Sequence, residues 1–194
     1  IGKNGFQYFN VVTDLELGPN NFLSIDSEDF YLNKHFIPLS FSNNGFLNNK
    51  IVFVGFGYNF QNDNLNWNDY ADVDVTNKWV LILRGGPEGN NPHSTFSKYN
   101  TLRQKVMRAK DQSAAGVLFV SGENFDKSDS LIPLKYDQNQ KDVGIPVVHI
   151  KREVANIILS KSNLELDVLE NKVIKLKEKF KSIILKDNIS CKVD

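Results

Sequence analysis

With 194 residues, the chain is long enough to bury a substantial core as one domain with extensions, and too short for two full domains. A hydrophobic fraction of 41% against 24% charged residues excludes a disordered chain. The 23 Lys+Arg balance the 23 Asp+Glu, so no overall field draws the chain to nucleic acid, anionic lipid or an acidic partner. Cys191 is the single cysteine and cannot form an internal disulfide, which leaves the compartment open. No apolar run approaches the roughly 20 residues that span a bilayer. The opening Ile1-Gly2-Lys3-Asn4-Gly5 lacks both an initiator Met and a signal-peptide stretch, so the chain reads as a processed piece of a longer polypeptide. Asn188-Ile189-Ser190 fits a glycosylation sequon, a triplet common by chance, and is read as unmodified.

In chain order, Phe6–Val12 and Phe22–Ile25 read as short strands around the turn-forming Gly18-Pro19-Asn20-Asn21. Asn43-Asn44-Gly45 marks a turn, and the apolar run Ile51–Phe56 predicts a central strand. From Asn59 to Asp74 the Asn and Asp content predicts a long loop. Trp79–Leu83 and Gly116–Val120 read as strands. Between them comes a loop from Gly85 to Pro92, then a helix capped by Ser97 with Leu102, Val106 and Ala109 as its apolar stripe. Strand, helix and strand of this length predict a right-handed βαβ crossover with parallel strands. Pro146–Ile150 is a further strand, followed by a helix over Arg152–Ser160 that buries Val154, Ile157 and Ile158. Leu166, Leu169, Val173, Leu176 and Phe180 keep a three-and-four spacing that predicts one more packed helix. Ile183–Val193 reads as a strand with a turn or bulge at Asp187-Asn188, and it is expected to pair directly with Phe6–Val12, apart from the main sheet.

Candidate chemistry is sparse. A hydrolase needs a metal held by convergent His and carboxylates, or a nucleophile beside a base. His35, His93 and His149 are the only histidines, and none stands in a His-x-Asp or His-Glu-x-x-His arrangement. His149 at the end of an apolar strand reads as a hydrogen-bonded structural residue, His93 as a solvated loop residue and His35 as a packing residue. Cys191 reads as a small buried apolar group. Arg84-Gly85-Gly86-Pro87 follows a strand, but it lacks both phosphate-loop patterns and stands about ten residues before the helix. Asp63, Asp69, Asp72 and Asp74 offer hard oxygen ligands, with Asp69, Asp72 and Asp74 the calcium candidates, although their spacing is not an EF-hand. Trp67 and Tyr70 beside them read as aromatics that anchor the loop.

Phe53-Val54-Gly55-Phe56-Gly57-Tyr58, the block from Asn68 to Gly85, the stretch Lys105 to Val120 and Gly144-Ile145-Pro146-Val147-Val148-His149-Ile150 together resemble the protease-associated domain. The version they resemble is the one inserted in di-zinc aminopeptidases related to glutamate carboxypeptidase and the transferrin receptor. Two positions depart from the family pattern: Asn77 replaces a glycine, and Ser113-Ala114-Ala115-Gly116 blurs an Ala-Gly-Ala. The resemblance implies a mixed α/β fold, a β-sandwich or open barrel with a βαβ crossover and flanking helices. It implies that residues 38–160 form the domain, that 1–37 lead in from a parent catalytic domain, and that 161–194 return to it. It further implies that this chain is not itself an enzyme and has no cofactor or metal of its own. The parent would be an extracytoplasmic zinc aminopeptidase, with the zinc in its catalytic domain. The partners implied are that domain and its peptide or protein substrates, with no nucleic acid and no membrane span in this segment. Trp67, Tyr70, Arg84 and His93 are the candidate interaction surface. The alternatives are a small stand-alone hydrolase and a nucleotide-binding βαβ module, the latter requiring phosphate at Arg84 to Glu88.

Overall fold

The computed structural model describes residues 15–62, 65–89, 91–135 and 141–194, so the predicted strand Phe6–Val12 lies outside the described residues. The strands are β1 (Phe22–Ile25), β2 (Glu28–Phe30), β3 (Phe36–Pro38), β4 (Gly45–Phe53), β5 (Asn59–Asn62), β6 (Leu65–Asn68), β7 (Trp79–Leu83), β8 (Gly116–Val120), β9 (Val147–Ile150) and β10 (Ile183–Val193). The helices are α1 (Leu102–Asp111), α2 (Arg152–Ser160) and α3 (Leu166–Leu176). Eight strands form one mixed sheet in the order β2-β1-β10-β4-β7-β8-β9-β3, a barrel-like sheet with flanking helices.

The centre of this sheet is parallel: β4 pairs β7, β7 pairs β8 and β8 pairs β9. Parallel strands are covered on both faces, which is why these segments read as unbroken apolar runs. Ile51, Phe53, Leu81, Leu83, Leu118, Val120, Val148 and Ile150 pack with Val154, Ile158, Leu169 and Val173 of α2 and α3. The alternate residues Val52, Val80, Ile82, Val117, Phe119 and Val147 pack on the other face with Val106 and Ala109 of α1. The predicted βαβ unit is therefore β7-α1-β8.

The two departures from the family pattern fall where the backbone turns left-handed: Asn77 has φ 58° and Ser113 φ 66°. Asparagine replaces glycine at low cost there, because its short polar side chain tolerates that region.

Four expectations change. The segment after Asn59 is not an irregular loop but begins as the hairpin β5–β6, in which Phe60 stands opposite Trp67. That cross-strand aromatic pair outweighs the poor strand propensity of the surrounding Asn residues. The helix after the Gly85 loop starts later than predicted. Ser97 opens only a 3-10 turn, Ser97–Tyr99, and Thr101 is the cap, its hydroxyl accepting the Gln104 N–H at 3.4 Å. α3 ends at Leu176, because Lys177 turns to φ 50°, and Phe180 reaches the core from beyond it. Finally, β10 does not lie apart from the main sheet: it is hydrogen-bonded between β1 and β4, with a register shift between Ile184 and Asn188. Its buried Leu185, Ile189, Cys191 and Val193 complete the core on the α2–α3 face.

Because Ile82 and Phe119 are fully buried on the α1 face, Ile82→Ala and Phe119→Ala should each cost about 2–5 kcal/mol in urea denaturation. Near-neutral values at both would show that these strands are not central.

Candidate functional site

Parallel strands end on the same side, and ligands of open α/β sheets gather beyond their carboxyl ends. Here that side collects the turn after β4 (Val54 to Tyr58), the Arg84-Gly85-Gly86 turn after β7, the Ser121 to Phe125 loop after β8 and the start of α2 after β9. Gly85 has φ 70° and faces the Phe125 ring so closely that a Cβ would collide with it.

Beneath the first two turns lies a fully buried lysine. The Lys105 ammonium, from α1, donates to the carbonyls of Leu83 (2.9 Å) and Gly85 (2.7 Å). It also stands 5.3 Å and 5.0 Å from the ring centres of Phe56 and Tyr58, a desolvated cation–π contact. Around it Phe56, Tyr58, Trp67 and Phe96 form an aromatic box, with Phe60 stacked on Tyr99 at 3.8 Å alongside. Asp69 is the buried acid of this cluster. Its carboxylate accepts the Tyr58 N–H at 2.8 Å and the Trp67 indole N–H at 2.7 Å, while Ser182 donates to its carbonyl. Burial pushes the Asp69 carboxyl up to about 7, against the pull of those N–H groups and of Lys105. Burial likewise holds the Lys105 ammonium well below its ordinary range, and Asp69 opposes it.

Beyond β8, Ser121 and His149 meet at 3.3 Å, the nearest approach to a nucleophile–base pair. Their wiring runs the other way. His149 Nδ1 accepts the Ile132 N–H at 3.1 Å, which assigns the proton to Nε2, and Nε2–H then donates to Ser121 Oγ. The same oxygen accepts from Arg84 at 2.8 Å. No imidazole lone pair faces the hydroxyl, so as wired His149 does not take its proton. Burial, then Arg84, lowers the His149 pKa to about 3.

The loop after Ser121 is fastened by Arg152, which donates to the carbonyls of Asp126 (2.6 Å) and Lys127 (3.0 Å). Between this loop and α3 opens a cavity of about 500 Å³ lined by Glu123, Asn124, Lys127, Asp167, Glu170 and Asn171. Its lining is polar, unlike the apolar pockets that bury small molecules. Glu170 is buried at its wall and accepts the Asn124 N–H at 3.4 Å, and burial raises its pKa.

The predicted site residues scatter. Trp67 and Tyr70 are buried, so neither belongs to an interaction surface: the hairpin turns the Trp67 indole onto Asp69, and Tyr70 packs beneath the α1 face. Arg84 is half-buried, its guanidinium over the Phe125 ring, and His93 is exposed. Asp69 points inward, exposed Asp72 lies 3.6 Å from Lys181, and Asp74 pairs with Lys78 at 2.7 Å. The three calcium candidates therefore do not converge, and Asp63 lies outside the described residues. His35 accepts the Tyr31 N–H and faces Glu153 at 3.5 Å, a partner from α2 that sequence proximity did not reveal. Burial pushes the Cys191 thiol up to about 12. A zinc centre needs three or four convergent His, Cys or carboxylate ligands. Among the described residues no such group of three exists.

Sequence reading missed Lys105, Ser121 and Glu170. A signal for Lys105 was present: it stands three residues after Leu102 and four before Ala109, on the helix's apolar stripe.

The family model of the PA domain matches residues 40–158, and the chain belongs to this protease-associated domain family. Among solved structures it is similar to an aminopeptidase from Aneurinibacillus sp. strain AM-1. There the TM-score is 0.54 at 18% identity, covering 92% of this chain and 31% of that one. It is also similar to a zinc aminopeptidase from Bacillus subtilis, with a TM-score of 0.51 at 20% identity, covering 90% of this chain and 30% of that one. At these identities the likeness is one of fold, and the chain spans under a third of either protein. No curated protein sequence matches the chain.

Two outcomes test this geometry. Asp69→Ala removes the acceptor of two buried N–H groups, and should cost about 2–5 kcal/mol in urea denaturation. A cost below about 1 kcal/mol would show that the carboxylate is not engaged. His149 has an ordinary value of 6.5 and a folded value of about 3, so the unfolded state takes up its proton first. Stability should be full above pH 6.5 and fall as pH drops toward 3, with about 3 kcal/mol lost from this group by pH 4. His149→Gln, which keeps a donor and an acceptor but does not titrate, should flatten that slope in pH-dependent melts.

Proposed function

We propose that this chain is a non-catalytic module of a larger, extracytoplasmic zinc aminopeptidase, in which it governs substrate access as a lid or offers a docking surface for peptide and protein substrates. The observation that carries this reading is the match of residues 40–158 to the protease-associated domain family. Gly18 N–H donates to the Asp194 carbonyl at 2.9 Å, Asn20 donates to the Asp194 carboxylate at 2.7 Å, and the Asp194 N–H donates to Asn21 at 3.0 Å. These hydrogen bonds hold the segment leading into β1 beside the end of β10. Family membership and the aminopeptidase likenesses support the same reading. Under it, residues 38–160 are the module, 1–37 and 161–194 join it to the parent's catalytic domain, and the zinc is held by that domain. Exposed His93 and half-buried Arg84, beyond the strand ends, are the side chains proposed to meet substrate.

The competing reading is a small hydrolase acting through Ser121 and His149, and the direction of their hydrogen bonds opposes it. Zinc content and aminopeptidase turnover of the 194-residue chain separate the two. The expected result is neither bound zinc nor turnover, and stoichiometric zinc with turnover would sink the proposal. In the parent, Arg84→Ala and His93→Ala should change KM for long peptides and leave a dipeptide-sized substrate unaffected.

A further inference from the structure

Among the described residues, Asp187 Oδ2 is the only buried carboxylate oxygen without a hydrogen-bond partner. Its place follows from the sheet. β1 pairs with β10 as far as Ile25 opposite Ile189, and the two-residue turn Asp26-Ser27, with φ 47° and 72°, folds the chain back into β2. β10 loses its register with β4 between Ile184 and Asn188, so Asp187 lies in an irregular stretch just past that turn. The end of α2 closes the third side with Lys161. Lys161 Nζ pairs with Asp26 and stands 3.7 Å from Asp187 Oδ1. The Ser162 hydroxyl, accepting the Lys186 N–H at 3.3 Å, adds an oxygen between the same two elements.

Two carboxylates thus face one ammonium, and that ammonium is spent on Asp26, whose side chain is 51% exposed, while the Asp187 side chain is 3% exposed. A buried oxygen left without a donor calls for a water or an ion. Burial raises the Asp187 pKa, Lys161 opposes the rise and Asp26 adds to it, as for a carboxylate short of positive charge.

We infer that Asp26 and Asp187 form a binding site for a hard divalent cation, calcium, whose entry turns the Lys161 ammonium out to solvent. The side chains that would hold it offer oxygen alone, and a turn set against an irregular strand suits calcium, which accepts six to eight oxygens in variable geometry and completes its shell with water. The carbonyl end of α2 adds negative potential. Lys161 is 40% exposed, so its head can leave without opening the core. None of the calcium candidates Asp69, Asp72 and Asp74 takes part. The bound ion would tie the β1–β2 turn, β10 and α2 together, and the site stands whether or not the chain serves an aminopeptidase.

Calcium titration of the 194-residue chain at fixed ionic strength, followed by calorimetry and thermal melts, tests this. The melting temperature should rise with calcium and saturate with a Kd on the order of 10⁻⁴–10⁻³ M, the range of extracellular calcium modules. Asp187→Asn and, on the exposed turn, Asp26→Asn should each weaken binding about ten-fold or more, because affinity follows the count of charged ligands. Lys161→Met should bind calcium about five-fold or more tightly, since it removes a competing positive charge. A lysine serving only as a salt-bridge partner would instead give a variant no more responsive to calcium than the parent chain. Absence of calcium binding in both the parent chain and Lys161→Met overturns the inference. So does a response that survives unchanged in both Asn variants, which would assign the ion to another part of the chain.

Discussion

The end of β4 and all of β7, β8 and β9 are buried on both faces, so these strand ends have little water with which to satisfy backbone polar groups. The Lys105 ammonium meets that constraint at the end of β7 by donating to the carbonyls of Leu83 and Gly85. A buried ammonium is costly unless it is paired and hydrogen-bonded. Its cost explains much of what surrounds it: the faces of Phe56 and Tyr58, and Asp69 with its own set of N–H donors. The β5–β6 hairpin then has a role despite standing outside the main sheet, because it carries Phe60, Trp67 and the approach to Asp69.

The same need for satisfied buried groups accounts for the second polar cluster. Ser121, His149, Arg84 and the Ile132 amide form a directed chain of hydrogen bonds that ties the loop after β8 to β7 and β9. The pair has the residue types of a hydrolytic dyad and the hydrogen-bond direction of a brace. A carboxylate or carbonyl accepting from Nδ1–H would orient the imidazole as a base. An amide donating to Nδ1 does the reverse. Residue identity alone therefore misleads here, and direction decides.

The module reading also fits the distribution of rigidity. The strand ends carry braced turns and few free polar groups, which suits a surface acting by shape. On the outer face of β1, β10 and the first half of β4, the side chains of Phe22, Phe46 and Ile184 are exposed.

Much of this was legible in the sequence because burial on both faces writes a local signature. Trp79–Leu83, Gly116–Val120 and Val147–Ile150 are short unbroken apolar runs, and the βαβ unit between the first two follows from chain length and handedness. The family was legible from a set of segments at fixed order, and its departure at Asn77, asparagine where the pattern has glycine, is one that the left-handed backbone explains. What the sequence could not disclose depended on distant contacts. Asn-rich β5 and β6 pair because Phe60 and Trp67 find Phe96 and Tyr99 across the chain. Lys105 is core because Asp69, a solvated loop acid by local criteria, is brought to the same box. Trp67 and Tyr70 belong to the interior for the same reason, and β10 joins the main sheet because β1 and β4 leave a strand's width between them. Local pattern determined which segments are strands and helices, whereas the charge state, direction and exposure of each polar group were decided by the tertiary structure, since those depend on neighbours far apart in the chain.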